Sequence, residues 1–206
     1  MKYSEKMIKA AIALLLVSVA SIGFAKLEKQ GTPEISIVAV GDFPSSDLAI
    51  VKEKLAKFYK CKVSILPKIE LPKSYKIKGM QRYSAIDIVR HLNRKFDGRN
   101  GKVIGLTQED ICTDRKLNGK INKNWGVIGL SLLGTKSCVV SNKRIRTNRR
   151  EKLEKTTIHE IGHSLGIPHC ESNSKCLMAD AKGKGSKIDS VLLWVCDDCK
   201  TKIKWQ

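Results

Sequence analysis

Between residues 34 and 165 the apolar positions switch repeatedly between two periods. EISIVAV (34–40) is a β-branched run closed by Gly41, which predicts a buried strand. From Pro44 to Tyr59, Leu48, Val51, Leu55 and Phe58 recur at helical spacing, with Ser45, Ser46 and Asp47 placed to cap the helix. CKVSIL (61–66) predicts a second strand, closed by Pro67. Ile86, Val89, Leu92 and Phe96 form the apolar face of a second helix over 83–96, capped by Ser84. GKVIGLT (101–107) predicts a third strand. After a polar stretch at 108–124, WGVIGLSLL (125–133) and SCVVS (137–141) read as two strands joined by a turn containing Gly134. A third helix is predicted over about 148–165, stopped by Gly166 and kept from restarting by Pro168. Beyond it, about 167–206, regular structure is sparse, and KGKGSK (182–187) reads as a flexible loop. This order predicts an α+β fold, a mixed twisted sheet with three main helices packed on it.

The first 25 residues stand apart. Lys2, Lys6 and Lys9 precede the apolar run from Ala10 to Phe24, and Gly23 and Ala25 are placed small-x-small. That is the pattern of a secretory signal peptide. The run is shorter than the roughly 20 residues that span a bilayer as a helix. The expected mature chain, residues 26–206, is long enough for one well-packed domain. It is expected to be secreted or periplasmic, monomeric, and free of the membrane once the signal is removed.

Removing a segment of net +2 leaves +17 of the chain's +19. Such a balance favours anionic surfaces or acidic substrates. The densest cluster, KRIRTNRR (143–150), has no interleaved aromatics to stack bases, so it reads as a solvated basic face. No specific nucleic-acid partner is expected.

The chemistry concentrates in HEIGHSLGIPHC (159–170), which holds three of the four histidines. His159 and His163 are four apart, so on a helix their imidazoles share one face and reach one metal ion. Gly166 can turn the chain back in a left-handed conformation, and His169 then completes a set of three. Three neutral imidazoles leave a fourth zinc position open, the mark of a catalytic site. Glu160 flanks that face without being a ligand, placed to take a proton from water and pass it to a leaving nitrogen. The extended signature HExxHxxGxxH, with a following Met, is a metalloprotease motif. His91, on the second helix, is assigned no role.

Seven cysteines in an exported chain first suggest disulfides. Cys61, Cys112 and Cys138 are isolated, whereas Cys170 and Cys176 flank the histidine stretch and Cys196-Asp-Asp-Cys199 closes the chain. HEIGHSLGIPHC, then Cys176-Leu177-Met178, then 17 residues, then CDDC, resembles the archaemetzincin peptidases, and the similarity extends upstream through PKSYKIKGMQRYSAIDIVRHL (72–92). The spacer between Cys170 and Cys176 is one residue longer than the family pattern. An export signal is a further departure, since the family is mainly intracellular.

The resemblance implies a metzincin-like domain with two zinc ions. One is catalytic, on His159, His163 and His169; the other is structural, on Cys170, Cys176, Cys196 and Cys199, clipping a small C-terminal subdomain. Two disulfides are the competing reading of those four cysteines. By the same resemblance, Met178 lies beneath the catalytic ion. The implied activity is zinc-dependent peptide hydrolysis on a peptide or protein substrate, aminopeptidase-like, with substrate along an exposed sheet edge for which WGVIGL (125–130) is the candidate. Asp110, Asp114 and Glu171 are candidates to hold a free amine. Two alternatives stand beside this: an exported basic binding protein stabilised by zinc, and a zinc amidase acting on a non-protein substrate.

Overall fold

A computed structural model describes residues 33–117, 119–181 and 185–205. The segment read as a signal peptide lies outside these residues, as do 182–184 of the KGKGSK stretch. In chain order the elements are β1 (Glu34–Val40), α1 (Ser45–Tyr59), β2 (Lys62–Ile69), β3 (Tyr83–Ser84), α2 (Ala85–Lys95), β4 (Lys102–Thr107), β5 (Ile111–Leu117), β6 (Lys120–Val127), β7 (Gly129–Ser131), β8 (Ser137–Ser141) and α3 (Arg149–Ser164). Two short helices follow, α4 (Gly185–Ser190) and α5 (Asp197–Lys200). No helix among the described residues is long and apolar enough to cross a membrane.

The main sheet has the order β2-β1-β4-β8-β7. β1 pairs in parallel with β2 and β4, and β4 with β8. β7 then turns back antiparallel on β8 and leaves a free edge. Because successive side chains of a strand point to opposite faces, β1 sends Ile35 and Ile37 one way and Val38 and Val40 the other. The first face packs on α1 and α3, through Val51, Leu55, Leu153, Ile158 and Ile161. The second packs on α2 through Ala85, Ile88, Val89 and Leu92. The mixed sheet and three main helices match the α+β expectation.

Local details differ from the sequence reading. The Ser84 side chain does cap α2, accepting from the Asp87 amide at 3.3 Å. α1 has no side-chain cap, and Asp47 instead pairs with Arg149 of α3 at 2.9 Å. The polar stretch 108–124 is mostly strand: β5 and β6 form a hairpin that joins β3 in a second, three-stranded sheet. Its alternating positions are mostly exposed or half-buried, so apolar periodicity carried no signal for it. The predicted strand 125–133 is split at Ile128, one part entering each sheet. Residues 185–187 of the expected loop belong to α4.

Candidate active site

The end of α3 builds the site. Gly166 has φ +91, a left-handed value that costs an L residue roughly 1–2 kcal/mol. Its amide and that of Ile167 close on the His163 and Gly162 carbonyls, and the chain reverses to bring His169 back. The imidazoles of His159, His163 and His169 meet with ring centroids 4.5, 4.7 and 5.5 Å apart. One nitrogen from each lies within 4.8 Å of the others.

Their outer nitrogens are committed. His159 Nδ1 is 2.8 Å from the Leu177 carbonyl and His163 Nδ1 is 2.7 Å from the Ile167 carbonyl. A carbonyl only accepts, so each Nδ1 carries the proton and each Nε2 keeps a lone pair. Burial and a neighbouring imidazole push His159 down to about 3 and His163 down to about 4, so both are neutral. Neutral, hydrogen-bonded imidazoles are the donor set that zinc takes. The His triad therefore fits such an ion.

Glu160 lines the same cleft as the three imidazoles, only 7% exposed, and burial pushes its carboxyl up to about 8. It lies against the sheet edge at Gly129, where a Cβ would come within 2.5 Å of Oε1. β7 is anchored there: the Ser131 hydroxyl meets that of Ser164 at 2.9 Å, and the Gly134 amide donates to the His163 carbonyl at 2.8 Å. Beneath α3, Met178 packs so tightly that a Cβ at Gly162 would meet its sulfur at 2.6 Å.

Leu177 and Met178 belong to the same turn as Cys176. The sulfurs of Cys170, Cys176, Cys196 and Cys199 lie within 4.8 Å of one another, and Cys170 and Cys196 are 3.6 Å apart. No pair is at disulfide distance, and Cys61, Cys112 and Cys138 are unpaired as well. A tetrahedral ion with bonds of about 2.3 Å sets its sulfurs about 3.8 Å apart. The cluster fits that spacing. It also borders the histidine site, since Cys170 follows His169 and its amide donates to the Met178 carbonyl at 2.8 Å.

A cleft of ≈ 490 Å³ runs past His159, Glu160 and His163, along residues 125–131. Both halves of the expected 125–130 run lie on edge strands beside the cleft: residues 125–127 end β6, the outer strand of the second sheet, and Gly129–Ser131 is β7, the outer strand of the main sheet. None of the three acids proposed from sequence to hold an amine lines the cleft. Asp110 is occupied by Arg82 and Arg144, while Asp114 and Glu171 are exposed elsewhere. Asp180 does line it, 3.7 Å from Arg115, and raises the affinity of His159 and His163 for protons. Neither Asp180 nor Arg144 was singled out by motif, and no spacing pattern marks either.

Residues 51–205 match the family described as Peptidase family M54. The archaemetzincin of Methanocaldococcus jannaschii is 34% identical over 157 residues, 70% of this chain and 79% of that protein. That of Pyrococcus furiosus is 29% identical over 187 residues, 82% and 92% of the two. The crystal structure of archaemetzincin from Archaeoglobus fulgidus, complexed with malonate, superposes with a TM-score of 0.68 at 27% identity, covering 82% of this chain and 99% of that one. With its HExxHxxGxxHC turn, its CxM segment and its CxxC in one place, the chain belongs to peptidase family M54, the archaemetzincins, and is a zinc metallopeptidase.

Proposed function

We propose that this enzyme cleaves peptide bonds with His159, His163 and His169 as ligands of a catalytic zinc ion and Glu160 as general base. The observation that carries the reading is two neutral helical imidazoles with free Nε2 atoms, joined by a ring nitrogen of His169 within 4.8 Å, beside a buried carboxyl that makes no ion pair among the described residues. A bound zinc ion supplies a Lewis acid, which lowers the pKa of water, polarises the scissile carbonyl and favours the ionised form of a nearby carboxylate. The Leu177 and Ile167 carbonyls hold the two helical imidazoles in the tautomer that ligation needs. Glu160, kept in place by the bare edge at Gly129, takes the proton of the attacking water and delivers it to the leaving nitrogen as the C–N bond breaks. Substrate backbone extends the sheet along β7, whose outer hydrogen-bonding edge faces the cleft.

Cys170, Cys176, Cys196 and Cys199 hold a second, structural zinc ion in this reading. Four thiolates leave no open position, and the closed site ties the C-terminal segment to the catalytic loops. For N-terminal trimming, Asp180 is the acid in the cleft that a free amine meets, in place of Asp110, Asp114 or Glu171.

The test is a diverse peptide pool incubated with the zinc-loaded protein and with Glu160→Gln of equal zinc content, read by mass spectrometry. Cleavage by the unmodified enzyme alone is expected, and the new ends separate trimming from internal cutting. Equal cleavage by both removes Glu160 from its role. Cleavage by neither moves the activity to a non-peptide amide.

A further inference from the structure

The cleft has a second polar feature that hydrolysis does not use. Arg144, in the loop between β8 and α3, borders the cleft beside Trp125 and Gly126. Its side chain is held rigidly. Nε donates to Asp110 Oδ1 at 2.6 Å and Nη2 to Oδ2 at 2.8 Å, a two-pronged fork. Arg82 donates to the same carboxylate at 2.9 Å. Two guanidinium groups on one carboxylate leave that cluster with one positive charge in excess. Asp114, the next acid along β5, accepts from the Asn124 amide at 2.9 Å and pairs with neither arginine among the described residues.

The backbone makes room for this arrangement. The guanidinium of Arg144 lies flat on Gly126, at the place where any Cβ would sit. The fork uses Nε and Nη2, and Nη1 has no partner among the described residues, so a charged donor remains on a side chain that has already lost its rotational freedom. Of the other basic groups at the cleft, Lys155 is held by Glu151 at 2.7 Å and Arg115 faces Asp180 at 3.7 Å, whereas Lys187 has no ion pair among the described residues and no carboxylate fixes its side chain as Asp110 fixes Arg144.

Distance sets what this donor can reach. Gly126 is three residues from Gly129, which carries Glu160 against it, and three residues of chain span at most about 10 Å. We propose that Arg144, oriented by Asp110 over Gly126, binds a carboxylate of the substrate within about three residues of the scissile bond, and that the enzyme therefore prefers peptides acidic at that position. This rests on the peptidase reading above and adds the substrate class to it. The carboxylate can be an acidic side chain or the C-terminus of a short peptide.

The test measures binding first. Zinc-loaded Glu160→Gln protein, full chain, is titrated with short alanine peptides, followed by tryptophan fluorescence or calorimetry. One arm compares a free with an amidated C-terminus; the other compares Glu with Gln placed at successive positions of amidated peptides. The carboxylate form is expected to bind at least about tenfold tighter in one arm, the factor that a hydrogen bond to a charged group brings. The arm in which it does so identifies the source. Adding Arg144→Gln is expected to bring that ratio close to one, with Arg144→Lys between the two. A general attraction of this basic protein for acidic peptides leaves the ratio intact in Arg144→Gln and overturns the proposal. Equal binding of both forms by the protein that retains Arg144 overturns it without need of any Arg144 variant. The same peptides are then given to enzyme with Glu160 intact. Hydrolysis without preference sinks only the carboxylate site. No hydrolysis of any peptide, with the binding ratio present, sinks the peptidase reading and leaves the site standing.

Discussion

At the scale of single residues the site is a set of groups whose chemistry comes from what they lack. Glu160 has no ion pair among the described residues and almost no solvent, which is why burial pushes its carboxyl up to about 8. In metal-free protein this has a thermodynamic signature. An acid whose folded value lies above its ordinary 4.5 holds its proton in the fold after the unfolded chain has released it. Stability is therefore fully present below the unfolded value and is lost as pH rises through about 8. Metal-free Glu160→Gln, whose amide does not titrate, is expected to lose less stability over that window in urea melts at successive pH values. Parallel decline of both proteins contradicts the burial argument. With zinc bound, the same variant is expected to keep its metal and lose about a hundredfold or more in kcat. Gly129→Ala probes the position of the carboxylate, since the added methyl falls 2.5 Å from Oε1. It should lower kcat with zinc content unchanged; a variant as active as the unmodified enzyme shows that Glu160 need not lie on the edge. The histidine and cysteine clusters were legible because groups that could hold a metal ion need particular residue types at particular spacings. The places of Asp180 and Arg144 at the cleft were not, because they come from packing between segments remote in sequence. Arg144 belongs to a basic run that reads as solvated surface, yet it folds back on Asp110 across 34 positions.

Secondary structure was legible to the degree that each element touches the core. β1, β4 and β8 are buried along their length and α2 is strongly two-faced, so the apolar pattern finds them. The β5–β6 hairpin is polar on most positions and stands off the main core, so the same pattern passes over it. α1 shows the converse: its apolar spacing is right, while the expected capping side chain Asp47 is drawn to Arg149. At this scale Gly166 is the hinge between α3 and the third histidine. Gly166→Ala is expected to cost roughly 1–2 kcal/mol from φ +91 alone. Because the strain is relieved by moving His169, zinc affinity should fall further than stability, which competition with a chelator measures. Loss of stability with unchanged zinc affinity assigns the turn to folding only.

At the scale of the whole molecule, two clusters of side chains that could hold a metal ion sit a few residues apart with different relations to solvent. His169 is exposed and its partners are half-buried at an open cleft. Cys176, Cys196 and Cys199 are buried within the principal core, packed with Leu165, Ile167 and Met178. The C-terminal segment reaches this core through few regular elements, and its attachment runs through that cluster and through backbone bonds such as Lys204 to Leu165 at 2.9 Å. Cys170 is half-buried, but a metal gripped by three buried thiolates of this core leaves more slowly than one at the exposed histidine site, which exchanges with the fold intact. Brief treatment with a chelator is therefore expected to remove one zinc ion per chain together with all activity, leaving the circular dichroism and the melting temperature nearly unchanged. The second ion should leave only on heating or in denaturant, in step with unfolding. Cys196→Ser should bind one zinc ion from the start and melt well below the unmodified protein, while keeping more of its activity than His163→Ala, which loses the catalytic ion. Native mass spectrometry counts the ions at each stage. Departure of both in a single step, with the fold retained, shows that the cysteine cluster is not a closed structural site. A Cys196→Ser protein that melts like the original shows that the C-terminal segment is held by its apolar contacts alone.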